Sequence, residues 1–157
     1  MLEQWRLERP DLDASPIAVI GRLSRVSQFV TEDLVALYRQ FGLSEGEFDI
    51  LATLRRVGAP YALAPSALVG ITMVTKGAVS KRLDSLEAKG LIARQPAEHD
   101  GRARVVRLTD AGLALIDDAV AAHLENERRI LEPLPAADRA ALERILSAWA
   151  SHYEARA

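Results

Sequence analysis

Residues Thr75-Lys76-Gly77-Ala78-Val79-Ser80-Lys81-Arg82-Leu83-Asp84-Ser85-Leu86-Glu87-Ala88-Lys89-Gly90 hold a capping hydroxyl, an apolar stripe and a stop. The Thr75 side chain can accept from the free amides of a first helical turn, and Gly90 can adopt the left-handed conformation that ends a helix. Between them Val79, Leu83 and Leu86 recur at three- and four-residue spacing, which predicts a helix with one face turned to a core. The opposite face shows Thr75, Lys76, Gly77, Ser80 and Lys81, with Gly77 and Ala78 leaving room for close approach. Such a face suits the major groove of B-form DNA, whose base edges carry a distinct pattern of donors and acceptors. Any one of these residues alone would also suit a solvated helix face, so the neighbouring segments decide.

Upstream, Pro65 opens a brief helix from Ser66 to about Gly70, with Leu68 and Val69 as its core contacts, and Thr72-Met73-Val74 breaks the chain before Thr75. The pair reads as a helix-turn-helix. Downstream, Leu91 to Gln95 and Ala103 to Leu108 read as two short strands joined by Pro96-Ala97-Glu98-His99-Asp100-Gly101-Arg102. Arg102 and Arg104 alternate with Ala103, so both would point to one side of this hairpin, and Asp100 can hold the Arg102 guanidinium extended. An arginine at such a tip can enter a narrow minor groove, where negative potential is concentrated. A solvated turn with an incidental ion pair is the plainer alternative.

Around this centre lie longer helices. Ser15-Pro16 reads as a cap followed by a first-turn proline, and Ile17, Ile20, Leu23, Val26, Val30, Leu34, Leu37 and Phe41 carry a long helix to Gly42. Ser44-Glu45-Gly46-Glu47 is a capping box for a helix with Phe48, Leu51 and Leu54, ending at Gly58. Thr109 caps a fifth helix to about Leu131. After Pro133 and Pro135 a sixth runs from Ala136, with Leu142, Ile145, Leu146, Trp149 and Tyr153 on one side. The outer helices carry more apolar surface than the central reader could bury, which points to self-association. Packing of these helices on each other within one subunit is the alternative.

The expected fold is therefore mainly α with a small β-hairpin wing: a winged helix-turn-helix of six helices. It is expected to form a single domain, with 1–42 and 111–157 as dimerisation helices and 43–110 as the DNA-binding region. The net charge of −2 conceals a gradient. From Val74 to Arg107 there are eight Lys and Arg against four acids, so this window is +4 and the remainder −6. A basic centre with acidic flanks fits one face meeting phosphate. There is no cysteine, which excludes disulfides, thiolate metal sites and thiol redox sensing. The uncharged stretch from Val57 to Val74 is interrupted by Gly58, Pro60, Pro65 and Gly70 and cannot span a membrane. The first residues lack the pattern of a secretion signal, so a cytoplasmic location is expected.

The run from Leu63 to Gly112 resembles the multiple-antibiotic-resistance regulator (MarR) family. Its most telling segments are Lys81 to Ile92, the Asp100-Gly101-Arg102 wing and Leu108-Thr109-Asp110-Ala111-Gly112. The resemblance implies a homodimer built from the outer helices, with two readers in successive major grooves of a pseudo-palindromic site. Trp5, Glu8-Arg9-Pro10-Asp11-Leu12-Asp13, Gly46-Glu47-Phe48-Asp49-Ile50-Leu51 and Arg82 are further similar to the urate-responsive subgroup. That likeness implies a ligand pocket of Trp5, Arg9, Asp49 and Arg82. The ring would stack on a planar purine, the arginines would bind its anionic oxygen, and Asp49 would be disturbed by the arriving charge. Arg6 competes with Arg9 for this role. Trp5 could instead cover the dimer core, Asp49 could pair with Arg82 or Arg55, and Arg82 could touch phosphate.

The expected function is a ligand-responsive DNA-binding regulator, as a repressor released by a small anionic or aromatic effector such as urate. Its expected partners are double-stranded DNA, a second copy of the chain and that effector, with no membrane. A winged-helix protein-interaction module without DNA binding, or a regulator with no effector, is the alternative. Catalysis is not expected. His99, His123 and His152 are far apart in sequence, no nucleophile, phosphate-loop or paired-carboxylate pattern stands out, and His123 with Glu127 is a weak metal signal. No cofactor or metal is expected.

Overall fold

The computed structural model describes residues 2–72, 76–97 and 100–156, with side chains except at 71, 72, 76, 97 and 100–103. Among the described residues the order is α1 (Leu2–Glu8), α2 (Ser15–Gln40), α3 (Glu45–Arg56), β1 (Ala62–Leu63), α4 (Pro65–Thr72), α5 (Lys76–Ala88), β2 (Ile92–Ala97), β3 (Asp100–Leu108), α6 (Asp110–Leu131) and α7 (Ala136–Glu154). Two compact units result, Met1–Val120 and Ala121–Ala157, divided within α6.

The first unit holds the core. Ile50, Leu51 and Leu54 of α3, Leu68 of α4, and Val79, Leu83 and Leu86 of α5 are buried together, so the apolar stripe of α5 faces inward as its spacing predicts. Burial of such side chains is the main favourable contribution, of order 1.5–3 kcal/mol each. The Tyr38 and Phe48 rings stack with centroids 4.1 Å apart and join α2 to α3. Only the C-terminal end of the α2 stripe enters this core; Ile20, Leu23 and Val26 remain exposed.

The sheet is antiparallel in the order β1-β3-β2. Val106 and Leu108 are buried while Arg107 between them is exposed, the period of two expected of a half-covered strand. Three expectations need correction. The connection between the wing strands is shorter than the sequence suggests, because Pro96, Ala97 and Asp100 to Arg102 lie within the strands. Pro96 is tolerated because β2 is an edge strand, with an irregular register between Pro96 and Ala97. Ser15 is not the cap of α2. Ala14 holds that position without a capping side chain, and Asp13 accepts from Ser15 N at 2.9 Å and Ser15 Oγ at 2.8 Å. Finally, α1 and β1 add a helix and a strand to those expected.

Thr109 does cap α6: its Oγ1 accepts from Gly112 N at 3.0 Å and donates to Gly90 O at 2.7 Å. In the second unit, α7 buries none of its residues and exposes Leu142, Ile145, Leu146 and Tyr153. No helix among the described residues is long and apolar enough to cross a membrane.

Candidate nucleic-acid interface

The outward face of α5 carries Gly77, Ser80 and Lys81, all exposed, because Val79, Leu83 and Leu86 commit the opposite face to the core. Thr75 and the side chain of Lys76 lie outside the described residues. Ser80 borders an apolar groove of about 230 Å³ between α4 and α5, lined also by Pro65, Ser66, Val69, Val79 and Leu83.

Two polar clamps hold α5; the Ser44–Glu47 capping box in the first was expected, but neither link to α5 was foreseen from the sequence. The first is centred on Glu47, whose side chain is 7% exposed. Its Oε2 accepts from Ser44 N at 2.8 Å and Ser44 Oγ at 2.9 Å, which is the capping-box arrangement. Its Oε1 accepts from Ser85 Oγ and from Lys89 Nζ, both at 2.7 Å, and Lys89 Nζ also donates to Gly42 O at 2.9 Å. Burial alone would raise the Glu47 carboxyl, but the Lys89 ammonium, the Ser44 amide and the Ser85 and Ser44 hydroxyls outweigh it and hold the group at about 2. The second clamp is Arg94 on β2, which donates to Asp84 Oδ1 at 2.6 Å and Glu87 Oε2 at 2.8 Å on α5.

These clamps redistribute the charge counted along the sequence. Lys89 and Arg94 are neutralised internally, whereas Lys81, Arg104 and Arg107 are exposed and form no ion pair with another described residue. Arg104 stands opposite Pro96, and Arg94 opposite Val106. Alternation therefore puts Arg104 on the face of the hairpin from which Arg94 reaches α5. The side chains of Asp100 and Arg102 lie outside the described residues, so the proposed link between them is not described.

The four candidate ligand residues occupy three places. Trp5 is exposed on α1, and Arg9, just after it, is held by Asp11 through contacts of 2.8 and 2.6 Å. Asp49 is exposed on α3. Arg82 is half-buried, and its guanidinium occupies the space a Cβ would need at Gly46, one helical turn before Asp49. Arg82 also lines a recess of about 250 Å³ with Ser44, Glu47, Lys81, Ser85 and Lys89; Trp5, Arg9 and Asp49 do not line it. Arg55, one expected alternative partner for Asp49, bonds instead to Asp117 at 2.6 Å and covers the Tyr61 ring at 5.2 Å. No group of three or more His, Cys, Asp or Glu that could hold a metal occurs among the described residues.

A sequence profile of the MarR family matches residues 41–103. The chain is 46% identical over 152 residues to the HTH-type transcriptional regulator PecS of Dickeya dadantii, covering 97% of this chain and 92% of that protein. It is 26% identical over 122 residues to the HTH-type transcriptional repressor YetL of Bacillus subtilis, covering 78% of this chain and 72% of that one. Among solved structures, a C80S mutant of MarR from E. coli complexed with operator DNA superposes with a TM-score of 0.73 at 25% identity, covering 87% of this chain and 98% of the other. These relatives are transcriptional regulators, not enzymes. With its winged helix-turn-helix architecture and its near full-length identity to PecS, this chain belongs to the MarR family of transcriptional regulators.

Proposed function

We propose that this chain is a homodimeric, ligand-responsive repressor that binds a pseudo-palindromic operator and acts in the cytoplasm. The observation that carries this reading is the exposed face of α5 with Gly77, Ser80 and Lys81, flanked by a hairpin presenting Arg104 on the side of α5. Thr75, Lys76, Gly77, Ser80 and Lys81 would enter the major groove, and Arg102 and Arg104 the flanking minor groove, with Asp100 orienting Arg102. The operator-bound MarR structure supports this use of the fold, and the name of YetL supports repression. Residues 1–42 and 111–157 would pair two copies through the exposed apolar faces of α2 and α7.

The effector would be a small anionic aromatic such as urate, held by Trp5, Arg9, Asp49 and Arg82. Because the Arg82 guanidinium rests on Gly46, an anion that draws Arg82 away would disturb the seat of α5 on α3. It releases DNA only if it binds better to the dimer whose two readers no longer match the groove spacing. Calorimetric titration of urate into the purified protein tests this reading. Saturable heat that disappears in Arg82→Ala and Trp5→Ala is expected; absence of saturable heat would remove urate and return these four residues to structural duties.

A further inference from the structure

We propose that Glu47 is a positioning residue for the DNA reader: its buried carboxylate fixes the rotation of α5 about its axis and so aims Gly77 and Lys81. Positions 77, 81, 85 and 89 are spaced by four and form one row along α5 and its C-terminal extension. The first two lie on the exposed face read here as the groove face. The last two, Ser85 and Lys89, both donate to Glu47 Oε1 at 2.7 Å. Glu47 Oε2 is meanwhile fixed by Ser44, and Lys89 is fixed a second time by Gly42 O. One carboxylate thus ties the reading row to the start of α3.

The apolar stripe of α5 cannot do this alone, since burial is non-directional, whereas charge-assisted hydrogen bonds set distance and angle. With side-chain tips about 6 Å from a helix axis, a rotation of about 20° displaces them by about 2 Å, enough to break a base contact. The inference rests on α5 being the groove helix.

The role has a sign that simple electrostatics opposes. An acid close to a DNA face repels phosphate, so neutralising it should tighten binding; a positioning carboxylate predicts loss. The test uses a duplex enriched by the wild-type chain from a randomised pool, beside a scrambled duplex of equal composition. In Glu47→Gln an amide N–H₂ replaces one acceptor and faces a donor, and in Ser85→Ala one bond is lost from a site that should still fold, which thermal unfolding of both variants verifies. Both should lose tenfold or more on the enriched duplex and stay within about twofold on the scrambled one, with an unchanged salt slope on the latter. Unchanged or increased affinity for the enriched duplex, or equal losses on both duplexes, would overturn the proposal. A wild-type chain that enriches no duplex would overturn the groove-helix reading itself, an outcome distinct from an enriched duplex that is indifferent to Glu47→Gln.

Discussion

Gly112 shows what a single hydrogen atom in place of a methyl group can decide. A Cβ there would run into the backbone carbonyl of Leu91, because Thr109 N donates to Leu91 O and draws the first turn of α6 onto the start of β2. The obstacle is backbone and cannot swing aside. Gly112→Ala should therefore destabilise the chain by about 2 kcal/mol or more, despite alanine's better helix propensity, measured by denaturant unfolding. Glu47 adds a pH-dependent prediction. Its carboxyl is held at about 2 against an ordinary 4.5, so its contribution is complete above pH 4.5 and is lost as pH falls towards 2. That contribution is about 2–3 kcal/mol, and Glu47→Gln should flatten the acid limb of stability between pH 4.5 and 2. The sequence disclosed half of this residue. Ser44 three positions away identifies a capping box, but Ser85 and Lys89 lie 38 and 42 residues away, beyond any local pattern.

At the scale of elements, what was legible followed from period. The stripe Val79, Leu83, Leu86 predicted the buried side of α5 correctly, and the strand read at Ala103 to Leu108 lies within β3. Elements without such a signal were missed: α1 buries no residue, and the two-residue β1 exists only because β3 offers it a free edge. Arg94 was counted with the DNA-facing charge, yet it ties β2 to α5, a pairing that two acids on another element decide. This separates two arginines of the same hairpin. Arg104→Ala should weaken duplex binding by about 1–3 kcal/mol and reduce the salt slope while leaving unfolding unchanged. Arg94→Ala should lower stability by about 1 kcal/mol or less, since the pair is partly exposed, with little change in salt slope. Anisotropy titrations and thermal melts on both variants check the distinction.

For the whole molecule, charge and apolar surface are segregated along the chain. The +4 window from Val74 to Arg107 contains α5 and the wing, while the exposed apolar residues concentrate outside it, on α2 and α7. Val26 is 58% exposed and Ile145 50%, and in the proposed dimer a second copy would cover such residues. Sedimentation should show a dimer, and Val26→Glu with Ile145→Glu should yield monomers with an intact reader fold; unchanged dimers would place the interface elsewhere. The sequence raises the expectation of self-association because the outer helices have more apolar positions than one core accommodates, and the exposure of those on α2 and α7 supports it as a proposal. The proposed ligand pocket has no comparable signature in composition or period: Trp5, Asp49 and Arg82 come from three helices and are named together only through the family resemblance. The most direct test of the central claim is the salt dependence of binding to the enriched duplex, followed by anisotropy. The account predicts one dimer per duplex and a log–log slope steeper than about −3, from several phosphates neutralised by two readers. A slope near zero, or equal affinity for enriched and scrambled duplexes, would contradict it.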